Sequence, residues 1–284
     1  MSTIHKALIA LGTCAAGALL ALAVGGCSLD SIDCGPGNGP PGGEPAWARD
    51  GRKVAFRKGI DIYVIKVDGT GLRRLTHGAC LGYAYPSWSP DGKSLVVRDD
   101  DSESAPFTIL DARTGRRRNG LPEAGFAPSW SPDGRWIATG NDAGMIIFRP
   151  QGGEWEELTD SSGYGPDWSP NGELIVFDGF AGDEGLYLVS LTNRHPRKIL
   201  DHGESPAWSP DGRRIAFQDT AVGQIGLIRP DGSSLPPAYR CGECELADPG
   251  RSPDGRELVF YEEGVGIRIV TPGSSRVRTL VALP

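Results

Sequence analysis

The sequence has 284 residues and a formal net charge of −7 at pH 7, with 36 acidic side chains against 29 lysines and arginines. That balance excludes an ordinary nucleic-acid binder, which needs clustered positive charge to displace the counterions of phosphate. One domain can accommodate a chain of this length.

The first element is a leader. Lys6 precedes twenty uncharged residues, Ala7 to Gly26, dominated by Ala, Leu, Val and Gly. This is the pattern of a secretory signal. It closes with Val24-Gly25-Gly26-Cys27, which resembles a bacterial lipobox. The resemblance implies cleavage after residue 26, a lipid on Cys27 and a membrane-anchored protein facing the periplasm or cell exterior. In a cell with an outer membrane, Ser28 after the cysteine implies delivery there. The alternative is an uncleaved membrane helix, since about 20 apolar residues can span a bilayer. Residues 27–44 are rich in Pro and Gly and read as a tether.

From residue 45 to residue 284 the chain repeats. Trp88-Ser89-Pro90-Asp91-Gly92 precedes Leu95-Val96-Val97, and the same pentapeptide begins again at Trp130, at Trp168 (with Asn171 for Asp) and at Trp208. Arg251-Ser252-Pro253-Asp254-Gly255 and the degenerate Trp47-Ala48-Arg49-Asp50-Gly51 complete six copies, spaced 38 to 43 residues apart. A period near ~40 is that of one four-stranded propeller blade. Pro-Asp-Gly makes a tight turn, with Pro fixing φ, Asp accepting local hydrogen bonds and Gly taking positive φ. It joins strand A, ending near the Trp, to strand B, the apolar triplet. Strand C follows, as in Ile62–Val67, then a turn at Asp68-Gly69 and strand D over Leu72–Thr76. The fold expected is all-β: a six-bladed β-propeller of four-stranded antiparallel blades. The recurrent Trp side chains are expected to pack between blades.

Pro-x-Trp-Ser-Pro-Asp-Gly, an apolar triplet, Ile62-Tyr63-Val64, Asp68-Gly69 and Leu72-Arg73-Arg74-Leu75-Thr76 together resemble the repeat of TolB-like (WD40-like) β-propellers, over residues 44–281. The resemblance implies a protein of the cell envelope that binds partners at the mouth of the propeller channel.

Six cysteines occur. Cys14 leaves with the leader and Cys27 takes the lipid. Cys34, Cys80, Cys241 and Cys244 remain, all in loops entering strand A on one face of the ring. An even number in an oxidising compartment reads as disulfides. The pairing expected is Cys34–Cys80 with Cys241–Cys244; the alternative joins Cys34 to Cys241 or Cys244. A zinc half-site or a redox pair at Cys241-Gly-Glu-Cys244 is a further alternative, but zinc would need two more ligands nearby.

The sequence carries no Gly-x-Ser-x-Gly elbow, no His-Glu-x-x-His, no P-loop and no dinucleotide fingerprint. No catalytic residue, metal or cofactor is assigned. Charge, however, separates by face. The D-to-A and B-to-C loops share one face of a propeller, and that face gathers Asp99, Asp100, Asp101, Glu103, Asp183, Glu184, Asp201, Glu204, Glu262 and Glu263, with Asp178 and Asp248 also present. His202 lies among them, and the bases opposing them are Arg57, Lys58, Arg98 and Arg240. Such a face would steer a basic partner, or Ca²⁺, to the channel mouth. Asp99 to Glu103 lacks the ligand spacing of a known calcium loop.

The function expected is a non-catalytic envelope scaffold binding a protein or peptide through this acidic face, touching the membrane only by its anchor. The alternative is a polysaccharide-binding protein or a propeller-fold polysaccharide lyase, with His202 between Asp201 and Glu204 as the place to look. Intact mass of the alkylated mature chain checks the cysteine reading: without reductant, none of the four loop thiols takes label.

Overall fold

The computed structural model describes residues 42–79, 81–102, 106–121, 125–179, 184–241, 244–274 and 276–283. The leader, Cys27, Cys34, the tether before residue 42, Cys80, Glu103 and Asp183 lie outside the described residues. Within them, strands β1 to β24 form six four-stranded antiparallel sheets, each made of four strands consecutive in the chain. Among the described residues no helix is long and apolar enough to cross a membrane.

The A strands are β1 (Gly43–Trp47), β5 (Tyr83–Trp88), β9 (Phe126–Trp130), β13 (Gly163–Trp168), β17 (Glu204–Trp208) and β21 (Leu246–Arg251). They line the ring inside, and the B, C and D strands follow outward. The core is divided among six blade interfaces. The apolar triplet of each B strand explains how. Side chains alternate along a strand, so the first and third residues face one neighbour and the middle one faces the other. In the fifth blade Ile215 and Phe217 pack against blade four, while Ala216 packs against blade six. In the first, Val54 and Phe56 join blade six and Ala55 joins blade two. The Trp residues fill the same interfaces. Trp88 and Trp168 also donate their indole N–H to the carbonyls of Ala46 and Ser129 in the preceding blade, both at 3.1 Å.

The repeated turn is self-bonded. Ser89 Oγ donates to Asp91 Oδ1 at 2.7 Å and accepts the Ser94 amide at 2.9 Å. Ser131, Ser169, Ser209 and Ser252 do the same; Ala48 of the first copy has no hydroxyl to offer. Each turn glycine has φ between +67° and +75°. A β-carbon on Gly134, Gly172, Gly212, Gly255 or Gly51 would touch the turn proline of the preceding blade. At Gly92 nothing would lie within 4 Å, because the preceding turn has Arg49 in place of proline.

No blade mixes the two ends of the chain, so non-covalent contacts close the ring. Val54, Phe56 and Ile65 of blade one form a single cluster with Val259, Tyr261, Ile267, Ile269, Val281 and Leu283 of blade six. Arg278 donates to the Val67 carbonyl across the seam at 2.9 Å. The other irregular joint lies between blades five and six, where Arg251 stands in the tryptophan position. It is only 8% exposed, its Nε and one terminal nitrogen lack partners, and burial and Arg214 together lower its pKa to about 10.

Ser209→Ala removes a fully buried hydroxyl that both donates and accepts within its turn. It should destabilise the fold by about 1–2 kcal/mol, read as a lower midpoint in urea with an unchanged slope.

Candidate functional site at the channel mouth

An A strand is hydrogen-bonded on its outer edge only, and its inner edge turns N–H groups toward the lumen. The sequence handles this in one way six times. Before each of Pro45, Pro86, Pro128, Pro166, Pro206 and Pro249 stands a residue in the left-handed region: Glu44, Tyr85, Ala127, Gly165, Ser205 and Asp248, with φ between +45° and +56°. Each lies where the A–B register shifts. Five of the six carry a side chain, where the conformation costs on the order of 1–3 kcal/mol each. The bulges therefore form a strained ring at the loop-face end of the channel.

Side chains of one blade then satisfy the inner amides of the next. Glu44 Oε2 accepts the Tyr85 N–H at 2.6 Å, and Asp248 Oδ2 accepts the Glu44 N–H at 3.2 Å. Ser205 Oγ donates to Asp248 Oδ1 at 3.1 Å. Asp178, at the end of β14 (Leu174–Gly179), accepts the Ser205 amide. Deeper in the channel, Ser87 Oγ accepts the Trp130 amide at 3.2 Å and Asp167 Oδ2 the Trp208 amide at 2.6 Å.

This wall concentrates carboxylates in a poorly hydrated ring. Burial raises Glu44 to about 7, against the pull of Arg57 at 2.8 Å. Burial, aided by Glu204, raises Asp178 to about 7, and burial raises Asp167 to about 7 as well. Glu204 is raised by burial and then by Asp248, Glu184 and Glu245; Asp248 is raised by burial. Two cations stand among them. Arg57 pairs with Glu44, and Arg98 pairs with Asp100 at 2.5 Å while covering the Phe126 ring at 4.2 Å. The Phe126 ring in turn meets that of Tyr164, 5.1 Å between centroids, and Tyr164 OH donates to Asp142.

The acidic residues expected at a partner surface are put to different uses. Asp99 is buried against Arg117. Asp101 accepts the backbone amides of Ala79 and Leu81, both at 2.7 Å, and so ties the loop entering blade two. Glu262 is buried, with Arg268 at 2.9 Å and Tyr239 OH donating to it at 3.3 Å. Asp100 and Glu204 belong to the mouth itself. Glu184, Asp201 and Glu263 are exposed on its rim. His202 lies 3.7 Å from Asp219 and sets its ring edge-on to Phe217. Cys241 and Cys244 are disulfide-bonded in a rim loop. Among the described residues no group of three or more His, Cys, Asp and Glu side chains could hold a metal ion.

Sequence reasoning did not single out Glu44, Tyr85, Gly165 or Asp167, nor the parts Asp178 and Asp248 take. The signal was present. In x-Pro-x-Trp-Ser-Pro-Asp-Gly, the column before the first proline reads Glu, Tyr, Ala, Gly, Ser, Asp. The column between that proline and the tryptophan position also varies, reading Ala, Ser, Ser, Asp, Ala, Gly, and Ser87 and Asp167 of it accept amides deeper in the channel.

The described residues form a closed six-bladed propeller with a polar channel, and that defines the structural class. The model of the TolB beta propeller domain matches residues 41–202, more than half of the chain, and the chain belongs to that family. Among solved structures, the TolB-designated protein of Agrobacterium tumefaciens is similar with a TM-score of 0.66 at 20% identity, over 86% of this chain and 90% of that one. TolB of Acinetobacter baumannii gives 0.62 at 17% identity, over 86% and 66%. Among curated sequences, the uncharacterized peptidase YuxL of Bacillus subtilis (strain 168) is 30% identical over 121 residues, which is 41% of this chain. The chain spans 18% of the length of that relative.

The raised carboxylates give stability a pH dependence of known sign. Between their ordinary range near 4 and their folded values near 7, the folded state holds protons that the unfolded chain has released. Stability therefore falls as pH rises through that interval and levels off above about 7. Asp178→Asn should remove on the order of 2–4 kcal/mol of this loss, seen as a flatter melting temperature between pH 4 and pH 8 and a more stable protein at pH 8.

Proposed function

We propose that this propeller is a non-catalytic docking module of the cell envelope, which takes a protein or peptide segment at the loop-face mouth of its channel. The observation that carries the reading is the mouth ring. Six blades share one turn motif, yet the residue before the A-strand proline is different in each blade, two of the six being acidic. Packing alone would favour repetition there, as it does at the turns, whereas recognition of an asymmetric partner requires difference. Family membership supports the reading, since TolB-like propellers are envelope proteins that bind protein partners. In this reading the leader and Cys27 hold the module at a membrane, and the tether gives the mouth reach. The activity of the peptidase relative is not carried over to a chain that spans so little of it.

A photo-cross-linking residue placed at Asp201 or Glu263, both exposed on the rim, tests this in cells making the full chain. The expected result is one discrete envelope-protein adduct from these positions. Arg213 and Asp231, exposed on the turn face, should give none. Equal adducts from both faces, or none from the rim, would remove the docking reading.

A further inference from the structure

Cys241 and Cys244 stand where the chain leaves the D strand of blade five, β20 (Ser234–Arg240), for the A strand of blade six, and a disulfide joins them at a sequence separation of 3. Closing so short a loop removes little chain entropy, so the bond is a weak staple. The backbone on either side is held without it. Gln224 pairs with Arg240, and Leu246 pairs with Glu262, in the strand registers. The Cys241 N–H donates to the Gly223 carbonyl at 3.4 Å, and the Glu263 N–H donates to that of Glu245 at 2.9 Å. Both cysteines are partly exposed.

The surroundings of the two sulfurs suit thiols as well as a disulfide. Cys241 Sγ lies 3.1 Å from the Cys244 carbonyl oxygen and 3.6 Å from that of Gly223. Cys244 Sγ lies 3.7 Å from Glu262 Oε1. Glu262 is itself only 8% exposed. Its Oε2 is engaged by Arg268 at 2.9 Å and by Tyr239 OH at 3.3 Å, while Oε1 faces the sulfur. A disulfide has no proton to give these oxygens; two thiols have one each. A hydrogen bond from a thiol to a carboxylate exists only in the reduced state and is stronger than one to a neutral acceptor. Reduction would therefore gain hydrogen bonds that the disulfide lacks, with the acceptors already in place.

We propose that Cys241 and Cys244 are a redox-active pair that exchanges with a dithiol of the cell envelope, with Glu262 accepting the Cys244 S–H in the reduced state. This goes beyond the docking reading and does not depend on it. Glu262 repels an incoming thiolate from Cys244, so the external thiolate attacks Cys241 Sγ. The Cys241–Cys244 bond breaks as a mixed disulfide forms, and the displaced Cys244 takes a proton from solvent. The second external thiolate then attacks its own partner sulfur, closes the external disulfide and releases Cys241, which takes the second proton. Two electrons pass to this pair, and the external dithiol is oxidised to its disulfide.

The test equilibrates the purified full chain, folded in detergent, with glutathione buffers of graded ratio, starting from the oxidised and from the reduced protein. Two glutathione thiols stand in for the dithiol. Free thiols at Cys241 and Cys244 are alkylated and read by peptide mass. Both starting points should converge on one curve with its midpoint inside the glutathione range, and the reduced protein should keep its cooperative melt. A bond that resists excess reduced glutathione, as structural disulfides do, or that yields only when the chain unfolds, would overturn the proposal. Glu262→Gln keeps the shape of the acceptor and removes its charge. It should make the bond about threefold or more harder to reduce, read as a larger glutathione excess at the midpoint. Tyr239→Phe removes a hydrogen bond to the other oxygen of Glu262 and should leave the midpoint within about twofold. Equal shifts in the two variants would mark a loosened joint between the blades and overturn the part given to Glu262.

Discussion

The inner edge of each blade sets the terms for the whole molecule. An antiparallel sheet leaves its first strand with a row of backbone groups facing away from the sheet, and in a closed propeller those groups converge on a narrow lumen where bulk water is scarce. The chain answers by kinking every A strand before a proline and by lending side chains from one blade to the amides of the next. Glu44, Asp167, Asp178 and Asp248 act as acceptors in this stitching. The same atoms thus close the ring and charge its mouth.

That double use has an electrostatic cost. Carboxylates that must lie side by side in a partly dehydrated ring repel one another and resist ionising, whereas those of the outer turns, such as Asp91 and Asp254, are held below their ordinary range by local hydrogen bonds. The two populations come from the same residue type in the same repeat. The turn aspartates bond to a serine hydroxyl and a backbone amide in open solvent; the lumen carboxylates exchange water for one or two backbone amides, in places a serine hydroxyl, and for one another.

Much of the fold was legible in the sequence because the repeat is written in residues whose conformational demands are local. Trp-Ser-Pro-Asp-Gly specifies a turn, the triplet after it specifies a strand buried on both faces, and a period near ~40 specifies a four-stranded unit. The site was less legible, since charge was read by loop membership and loops do not reveal where a side chain points. Asp99, Asp100 and Asp101 are adjacent in the chain, yet one is buried under Arg117, one pairs with Arg98 at the mouth and one caps two amides of a neighbouring loop. The left-handed bulge was hidden for a different reason. Residues before proline avoid the helical region and read as extended, so nothing local announces a positive φ at Glu44 or Tyr85; it arises from fitting six inner strands around one axis.

The ring is also uneven as a mechanical object. Between blades one and two the turn-to-turn contact is missing, because Arg49 replaces the proline that would reach Gly92. Between blades five and six a buried arginine replaces the tryptophan wedge. Blades two to five keep both features, while blades six and one, with the chain seam between them, lie between the two altered joints. The mouth bonds that cross these two joints are Glu44 to the Tyr85 amide and Ser205 to Asp248. The two joints that depart from the repeat are thus the ones bridged at the mouth by the acidic side chains Glu44 and Asp248, so that any change in those carboxylates would bear on both at once.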